Sequence, residues 1–280
     1  MTLSIVIITL NEEANLGRTL ASVQPLVANG KGEIIVVDSG STDRTVEIAK
    51  SFGAKVFVEE WKGYAAQKNS AIDKATGDWI LSLDADEELD SELIGEVTGN
   101  SDDRVGLRSG VHEWCLTMGG AGQEILKGSP VGFLVRRKNY FLGRWILHGG
   151  FWPDSKLRLF RRGTGRFEDR AVHEDIRVHG RTKEIPFGAL LHHSYPTLSD
   201  YIEHMNRYSS LGAEMVVAKG NGKVRFSAIK IVLRPLATFL YNYFFRLGFL
   251  DGSQGLLLHL YHAVYVSWKY AKAWELSRKS

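Results

Sequence analysis

Apolar and polar positions come in alternating blocks over the first hundred residues. Leu3–Thr9 is a near-continuous apolar run, which predicts a buried strand. From Asn11 to Ala28, Leu16, Leu20, Val23 and Val27 recur at helical spacing. Glu33–Asp38 (EIIVVD) predicts a second buried strand. Ser41 or Thr42 is placed to cap a helix running to Phe52, and Gly53 sits where a helix stop belongs. Lys55–Val58 predicts a third strand, Tyr64–Ala75 a helix stopped by Gly77, and Trp79–Leu83 a fourth strand. Strands without polar alternation, separated by helices, predict a parallel sheet covered on both faces. Sheets of this kind bind ligands at the carboxyl ends of their strands.

The alternation stops near residue 100, where NSDD (Asn100–Asp103) reads as a polar loop. Residues 104–195 are rich in glycine, arginine and aromatics, with strand-like pieces such as VGFLVRR and KLRLFRR, and predict an addition to the same sheet. Residues 197–217 predict a helix, and Phe226–Phe249 and Gly255–Leu276 two strongly apolar helices with basic residues among them. Three segments follow: 1–103, 104–195 and 196–280.

Composition changes this picture little, and charge changes it more. The 280 residues are ordinary for a globular protein, at 44% hydrophobic and 24% charged. The one cysteine, Cys115, excludes an internal disulfide framework and a multi-cysteine zinc site. MTLSIVIITLNEE lacks a basic n-region and reads as a first strand, not a signal peptide. The net charge of +3 divides into −9 over residues 1–100 and +12 over the rest. The basic part suits an anionic partner, a phosphate-rich molecule or a membrane surface. No nucleic-acid motif accompanies it, so nucleic acid is not an expected partner.

The chemistry sits at the strand ends. LSLDADEEL runs an apolar strand into Asp84, Asp86, Glu87 and Glu88. Asp84 and Asp86, two apart on an extended segment, point the same way and make a hard-oxygen site for Mg²⁺ or Mn²⁺. The alternative is a helix start, where acids favour the dipole; it suits Glu87 and Glu88 but not Asp84. In VVDSGSTD, Asp38 can accept from a ribose hydroxyl or base N–H, and SGSTD lets a ligand approach the backbone. A plain strand–turn–helix connector is the alternative there. TLNEE offers Asn11 and Glu12, as ligand contacts or as helix caps. There is no P-loop and no Gly-x-Gly-x-x-Gly after the first strand, which counts against an ATPase or a dinucleotide enzyme.

TLNEE, VVDSGSTDRT and QKNSAIDKATGDWILSLDADEEL, with their spacing, resemble a family 2 inverting glycosyltransferase of the GT-A fold. FLGRWILHGGFWPDSKLRLFRR, RAVHED and the apolar tail after LSDYI resemble a narrower group, the bacterial lipopolysaccharide inner-core heptose β-1,4-glucosyltransferases. The fold implied is α/β, a GT-A Rossmann-like nucleotide-binding sheet with a C-terminal apolar helical extension. Residues 1–103 become the nucleotide-sugar half and 104–195 the acceptor half. The resemblance implies that Thr9, Asn11 and Glu12 line the nucleotide pocket and that Asp38 contacts the uracil–ribose part. Lys68 would reach the nucleotide. Asp84 would bind the nucleotide-sugar and Asp86 the Mg²⁺ or Mn²⁺ ion. An inverting transfer also needs a base for the acceptor proton. Glu168, Asp169, Glu174 and Asp175 in FEDRAVHED are candidates, with Glu174 favoured and His173 beside it to tune or orient it or to make a second metal contact.

The implied donor is a UDP-sugar, and the implied acceptor a lipopolysaccharide core or similar lipid-linked saccharide. The site of action would be the cytoplasm, peripheral to the cytoplasmic face of the bacterial inner membrane. A polyprenyl phosphate acceptor is an alternative, and a non-catalytic saccharide or sugar-nucleotide binding module an alternative of another class. Arg158 and Arg161 read as a solvated strand edge or as contacts to an anionic acceptor, and Trp145 and Trp152 as sugar-stacking or core aromatics. His192 and His193 read as structural or as metal ligands. The tail reads as a helical pair in a membrane interface, a pair packed on the catalytic domain, a dimer contact or a spanning segment; Arg234, Arg246 and Asp251 interrupt its first piece, and the second has a shorter uncharged stretch with His259 and His262.

Overall fold

Four apolar runs pair as parallel strands. The computed structural model describes residues 2–30, 32–99, 129–168 and 175–278. Its first elements are β1 (Leu3–Thr9), α1 (Leu16–Val27), β2 (Gly32–Asp38), α2 (Thr45–Ser51), β3 (Lys55–Val58), α3 (Tyr64–Asp73) and β4 (Trp79–Leu83). The strands run in the order β3-β2-β1-β4, all parallel. Alternate residues of β1 go to opposite faces, as the pleat requires. Ile5 and Ile7 pack with Leu16, Leu20 and Val23 of α1. Val6 packs with Ala71 and Ile72 of α3. β3 is an exposed edge strand. Gly77 is needed because β1 passes so close: a Cβ there would lie 2.7 Å from the Ser4 backbone nitrogen.

Helix starts differ from the sequence expectation. α1 begins at Leu16, not Asn11, because Asn11 adopts a left-handed φ of 55° and the loop after it bonds to the neighbouring strand end. α2 begins at Thr45, since Ser41 and Thr42 are spent on the turn after β2.

The sheet continues beyond residue 100, as the strand-like pieces predicted. Its further elements are β5 (Glu87–Leu89), α4 (Ser91–Thr98), β6 (Pro130–Phe141), β7 (Arg144–Trp145), β8 (Asp154–Arg161), β9 (Gly165–Phe167), β10 (Ile176–Val178), β11 (Arg181–Glu184) and β12 (Leu190–Tyr195). The order runs on from β4 through β8, β6, β12 and β5. β8 is antiparallel to β4, with Leu159 opposite Leu81, and β12 is antiparallel to β5, with His192 opposite Glu87. Glu87 and Glu88 therefore lie in a short strand, and the helix-start reading for them is corrected. The helix start falls at Asp90, whose carboxylate accepts from the Leu93 N–H at 2.9 Å.

The described residues form two compact units. One holds residues up to Arg137, Ser155 to Glu168, and Asp175 to His192. The other holds Lys138–Asp154 and His193 onward. In the second unit α5 (Leu198–Lys219) starts in a capping box of Thr197 and Asp200. A helical run follows from Ile229 to Phe245, its middle forming α6 (Arg234–Leu240) and both ends wound more widely. The last helix is α7 (Gly252–Leu276). Phe141, Ile146, Tyr201 and Leu258 make this unit's core.

Candidate active site

Strand register brings the three acidic motifs of the first unit to one sheet edge. Thr9 stands opposite Asp38, and Ile7 opposite Leu83, so the chain segments after β1, β2 and β4 emerge side by side. Side chains lace the first two together. The Asn11 N–H donates to Ser41 Oγ at 2.8 Å, and Asn11 Oδ1 accepts from the Thr42 N–H at 2.9 Å. The Glu12 N–H donates to Thr45 Oγ1 at 2.7 Å. Burial pushes the Glu12 carboxyl up; a bond from Asn15 opposes this, and the charges of Asp86, Asp43 and Asp84 add to it. Glu12 thus lies within electrostatic reach of the DAD acids.

Asp38 is fully buried. Its Oδ1 accepts from the N–H groups of Gly40 and Ser41 at 2.9 and 2.8 Å, and its Oδ2 from the hydroxyls of Thr9 and Ser41. In this arrangement the carboxylate shapes the turn that follows β2.

The repulsion within DADEE is answered by cations from a helix and from distant strands. Lys68 of α3, nearly buried, places Nζ 2.7 Å from Asp84 Oδ1 and 5.0 Å from the centre of the Phe167 ring. Asn69 next to it donates to the Phe167 carbonyl and accepts from its N–H, at 2.9 and 3.0 Å. Arg158 of β8 reaches both Asp84 Oδ2 and Glu87 Oε1 at 2.6 Å. Arg137 adds a contact to Glu87 at 3.3 Å. Burial pushes the Asp84 carboxyl up, but the charges of Arg158 and Lys68 outweigh it and hold the group well below the usual carboxylate range. Burial works against the Arg158 charge, and Asp84 and Glu87 more than offset it. Arg158 is therefore a buried counter-charge inside the acidic cluster and not the solvated edge that its strand suggested.

Asp86 faces His192 of β12, Oδ2 to Nε2, at 3.3 Å. Burial raises the Asp86 carboxyl, and His192 reverses the shift to leave it lowered. Among the described residues no group of three or more His, Cys, Asp or Glu side chains is arranged to hold a metal. Asp86 and His192 do supply a carboxylate oxygen and an imidazole nitrogen on facing elements. The carboxylate suits a Mg²⁺ or Mn²⁺ ion that takes its remaining ligands from phosphate oxygens and water, and the imidazole is the less usual donor for these hard ions. Both oxygens of Asp84 face cations, which makes it the poorer direct ligand.

Glu174, Asp169 and His173 lie outside the described residues. Of their neighbours, Glu168 accepts from Arg177 at 2.9 Å, and its N–H donates to the Asp175 carbonyl at 3.2 Å. In the second unit Trp145 and Trp152 meet edge to face at 5.1 Å, and His193 stacks on Tyr140 at 5.0 Å.

Removing the Arg158 charge leaves Glu87, which has no solvent exposure, with Arg137 alone among the cations placed on it here. Breaking a buried pair at one partner costs about 3–5 kcal/mol. Arg158→Met is expected to lower unfolding stability by that amount in urea titrations. A loss below about 1 kcal/mol would mean that the cluster is solvated enough not to need it.

A lysine of α3, an acidic pair and an acid-facing histidine thus gather where strands of an open α/β sheet end, the place at which such sheets bind ligands. Residues 4–115 match the model of glycosyl transferase family 2. The lipopolysaccharide core biosynthesis glycosyltransferase LpsC of Rhizobium meliloti is 32% identical over 287 residues, covering 98% of this chain and 92% of LpsC. An uncharacterized glycosyltransferase of Rickettsia typhi is 31% identical, covering 99% of this chain and 88% of its own. Among solved structures, the mannosyltransferase PcManGT of Pyrobaculum calidifontis, in complex with GDP-Man and Mn²⁺, superposes with a TM-score of 0.54 at 14% identity. That superposition covers 97% of this chain and 86% of PcManGT, and it shows the shared fold. The chain belongs to glycosyltransferase family 2.

Proposed function

We propose that this glycosyltransferase moves a hexose, glucose, from a UDP-sugar to a lipopolysaccharide core or similar lipid-linked saccharide, with inversion and with a divalent metal. The observation that carries the reading is the facing of Asp86 and His192 beside the Lys68–Asp84 pair, at the strand ends where this fold binds ligands. The likeness to LpsC along nearly the whole chain supports the acceptor class.

Asp86 and His192 would hold the metal, which when bound supplies Lewis-acid stabilisation of diphosphate charge. Lys68 would contribute its charge to the same leaving group, its ammonium exchanging part of its contact with Asp84 for a phosphate oxygen. Arg158 keeps the acidic cluster compact and charged while the ligand is absent. Glu174 would take the proton of the attacking acceptor hydroxyl as that oxygen bonds the anomeric carbon and the UDP oxygen leaves. Thr9, Asn11, Glu12 and Asp38 would form the nucleoside side of the pocket. Asp38 would act largely through the turn it organises.

A thermal-shift screen of UDP-, GDP- and dTDP-sugars, with Mn²⁺ and with chelator, tests this reading, because a ligand selective for the folded state raises the melting temperature. UDP-glucose with Mn²⁺ is expected to stabilise most. Stabilisation by GDP- or dTDP-sugars alone would exclude the donor assignment.

Asp38→Ala is expected to weaken UDP binding by one to two orders of magnitude in calorimetric titration. A charge-assisted bond contributes roughly 1.5–3 kcal/mol, and here such bonds fix the turn. Unchanged affinity would show that the pocket does not depend on this turn.

A further inference from the structure

The helical run from Ile229 to Phe245 turns its apolar residues outward. Ile229, Leu233, Leu236, Leu240 and Phe244 follow at three- and four-residue steps, and all are exposed, Ile229 at 66%. Phe245 is exposed at 80%. Phe249 and Leu250, just beyond the run, and Leu256 and Leu260 of α7 are exposed as well. Folded domains rarely leave so long an apolar face uncovered unless something docks on it.

Charge selects what docks. From Met215 to Leu250 the chain contains no Asp or Glu. Arg225, Lys230, Arg234 and Arg246 lie in this interval, and all are exposed. Arg234 and Lys230 reach over the Tyr270 ring of α7, 5.2 and 5.9 Å from its centre, which holds both at the border of the apolar face. A second copy of the chain is a poor occupant, since a two-fold contact would set these cations against one another. A bilayer with anionic headgroups satisfies both features at once: phosphates for the cations and acyl chains for the aromatics. Among the described residues no helix is long and apolar enough to cross a membrane. The run itself falls short of the roughly 20 apolar residues that spanning takes, and Lys230 and Arg234 interrupt it. The geometry is that of a helix lying in the interface plane.

We propose that this face seats the protein in the interfacial layer of an anionic lipid bilayer. Phe244 and Phe245 enter the acyl boundary, and Arg225, Lys230, Arg234 and Arg246 face headgroup phosphates. In its choice of a bilayer as partner this deepens, and rests on, the reading of a lipid-linked acceptor.

The test is co-sedimentation of the full chain with vesicles, without donor or acceptor. One set is phosphatidylcholine alone, and the other is phosphatidylcholine mixed with phosphatidylglycerol. The chain is expected to bind the anionic vesicles more tightly, with affinity falling as salt rises. Each basic residue near such a surface contributes roughly fivefold. Lys230→Glu with Arg234→Glu should therefore weaken anionic-vesicle binding at least about tenfold. Phe244→Ser with Phe245→Ser should weaken binding to both vesicle types at least about tenfold, from the apolar area withdrawn. Far-UV circular dichroism melts confirm that each variant is folded.

Wild-type protein that stays in the supernatant with anionic vesicles overturns the proposal, as do variants that bind like wild type. So does a dimer in light scattering that the phenylalanine substitutions dissociate while vesicles remain unbound. Vesicle binding without sugar transfer would count against the acceptor reading alone. Transfer to a delipidated saccharide without vesicle binding would count against the membrane face alone.

Discussion

Asp86→Ala is expected to abolish sugar transfer and to remove the metal dependence of UDP binding while the protein remains folded. Two features of the site set this expectation apart from that for the other acids. Asp86 faces an imidazole, whereas Asp84 and Glu87 face permanent cations. Asp86 also supplies the carboxylate of the only donor pair proposed for the metal. Loss of a preorganised contact to developing charge costs about 10²–10³ in turnover, and loss of the metal with it brings the total beyond about 10³. Transfer assays with Mn²⁺ and with excess chelator measure this. Full activity in the variant, or in wild type with chelator, would sink the metal assignment. Arg158→Met makes the contrast, a loss of stability from the opposite side of the same cluster.

Glu174→Gln is expected to lower turnover by about 10²–10⁴-fold, the usual share of general-base catalysis. The amide keeps the size and much of the hydrogen bonding of the acid but cannot accept the acceptor proton. A base works on the acceptor and makes little contact with the nucleotide, so calorimetric UDP affinity should survive. That separates Glu174 from Asp86 and Asp38. The same change at Glu168, and Asp→Asn at Asp169 and Asp175, provides the control. Glu168 already holds a partner, since Arg177 donates to its carboxylate, so it is expected to keep most activity. If one of these kills turnover while Glu174→Gln stays active, the base is misassigned.

The first four strands were legible because each is a short apolar run bounded by polar turns. β1, β3 and β4 take the ranges that pattern predicts, and β2 extends it by one residue. Helix starts were less legible. Ser, Thr, Asn and Asp favour caps, but the same side chains bond across to a neighbouring loop, and only tertiary pairing decides which. Asn11 and Ser41 took the second course. The acids of LSLDADEEL announced a site, yet not what balances them. Arg158 is 74 residues from Asp84, and His192 follows an ordinary-looking strand. Their placement depends on β8 pairing with β4 and β12 with β5, antiparallel registers that no local spacing encodes. The available signal was Arg158 itself, a basic residue between Leu157 and Leu159 in a strand. The same lack of long-range information left the tail undecided between packing and docking. The exposure of Phe244 and Phe245 in the fold is what favours docking.

The most direct test of inverting transfer by this site is the stereochemistry of the product. The purified chain would be supplied with UDP-α-glucose, Mn²⁺ and a lipopolysaccharide-core acceptor, and the new anomeric proton followed by NMR. Attack of the acceptor oxygen on the face opposite the UDP, assisted by one base, predicts a β-linked glucose. An α-linked product would contradict the account, because it requires a second displacement or front-side attack that the proposed roles of Glu174, Lys68 and Asp86 do not provide.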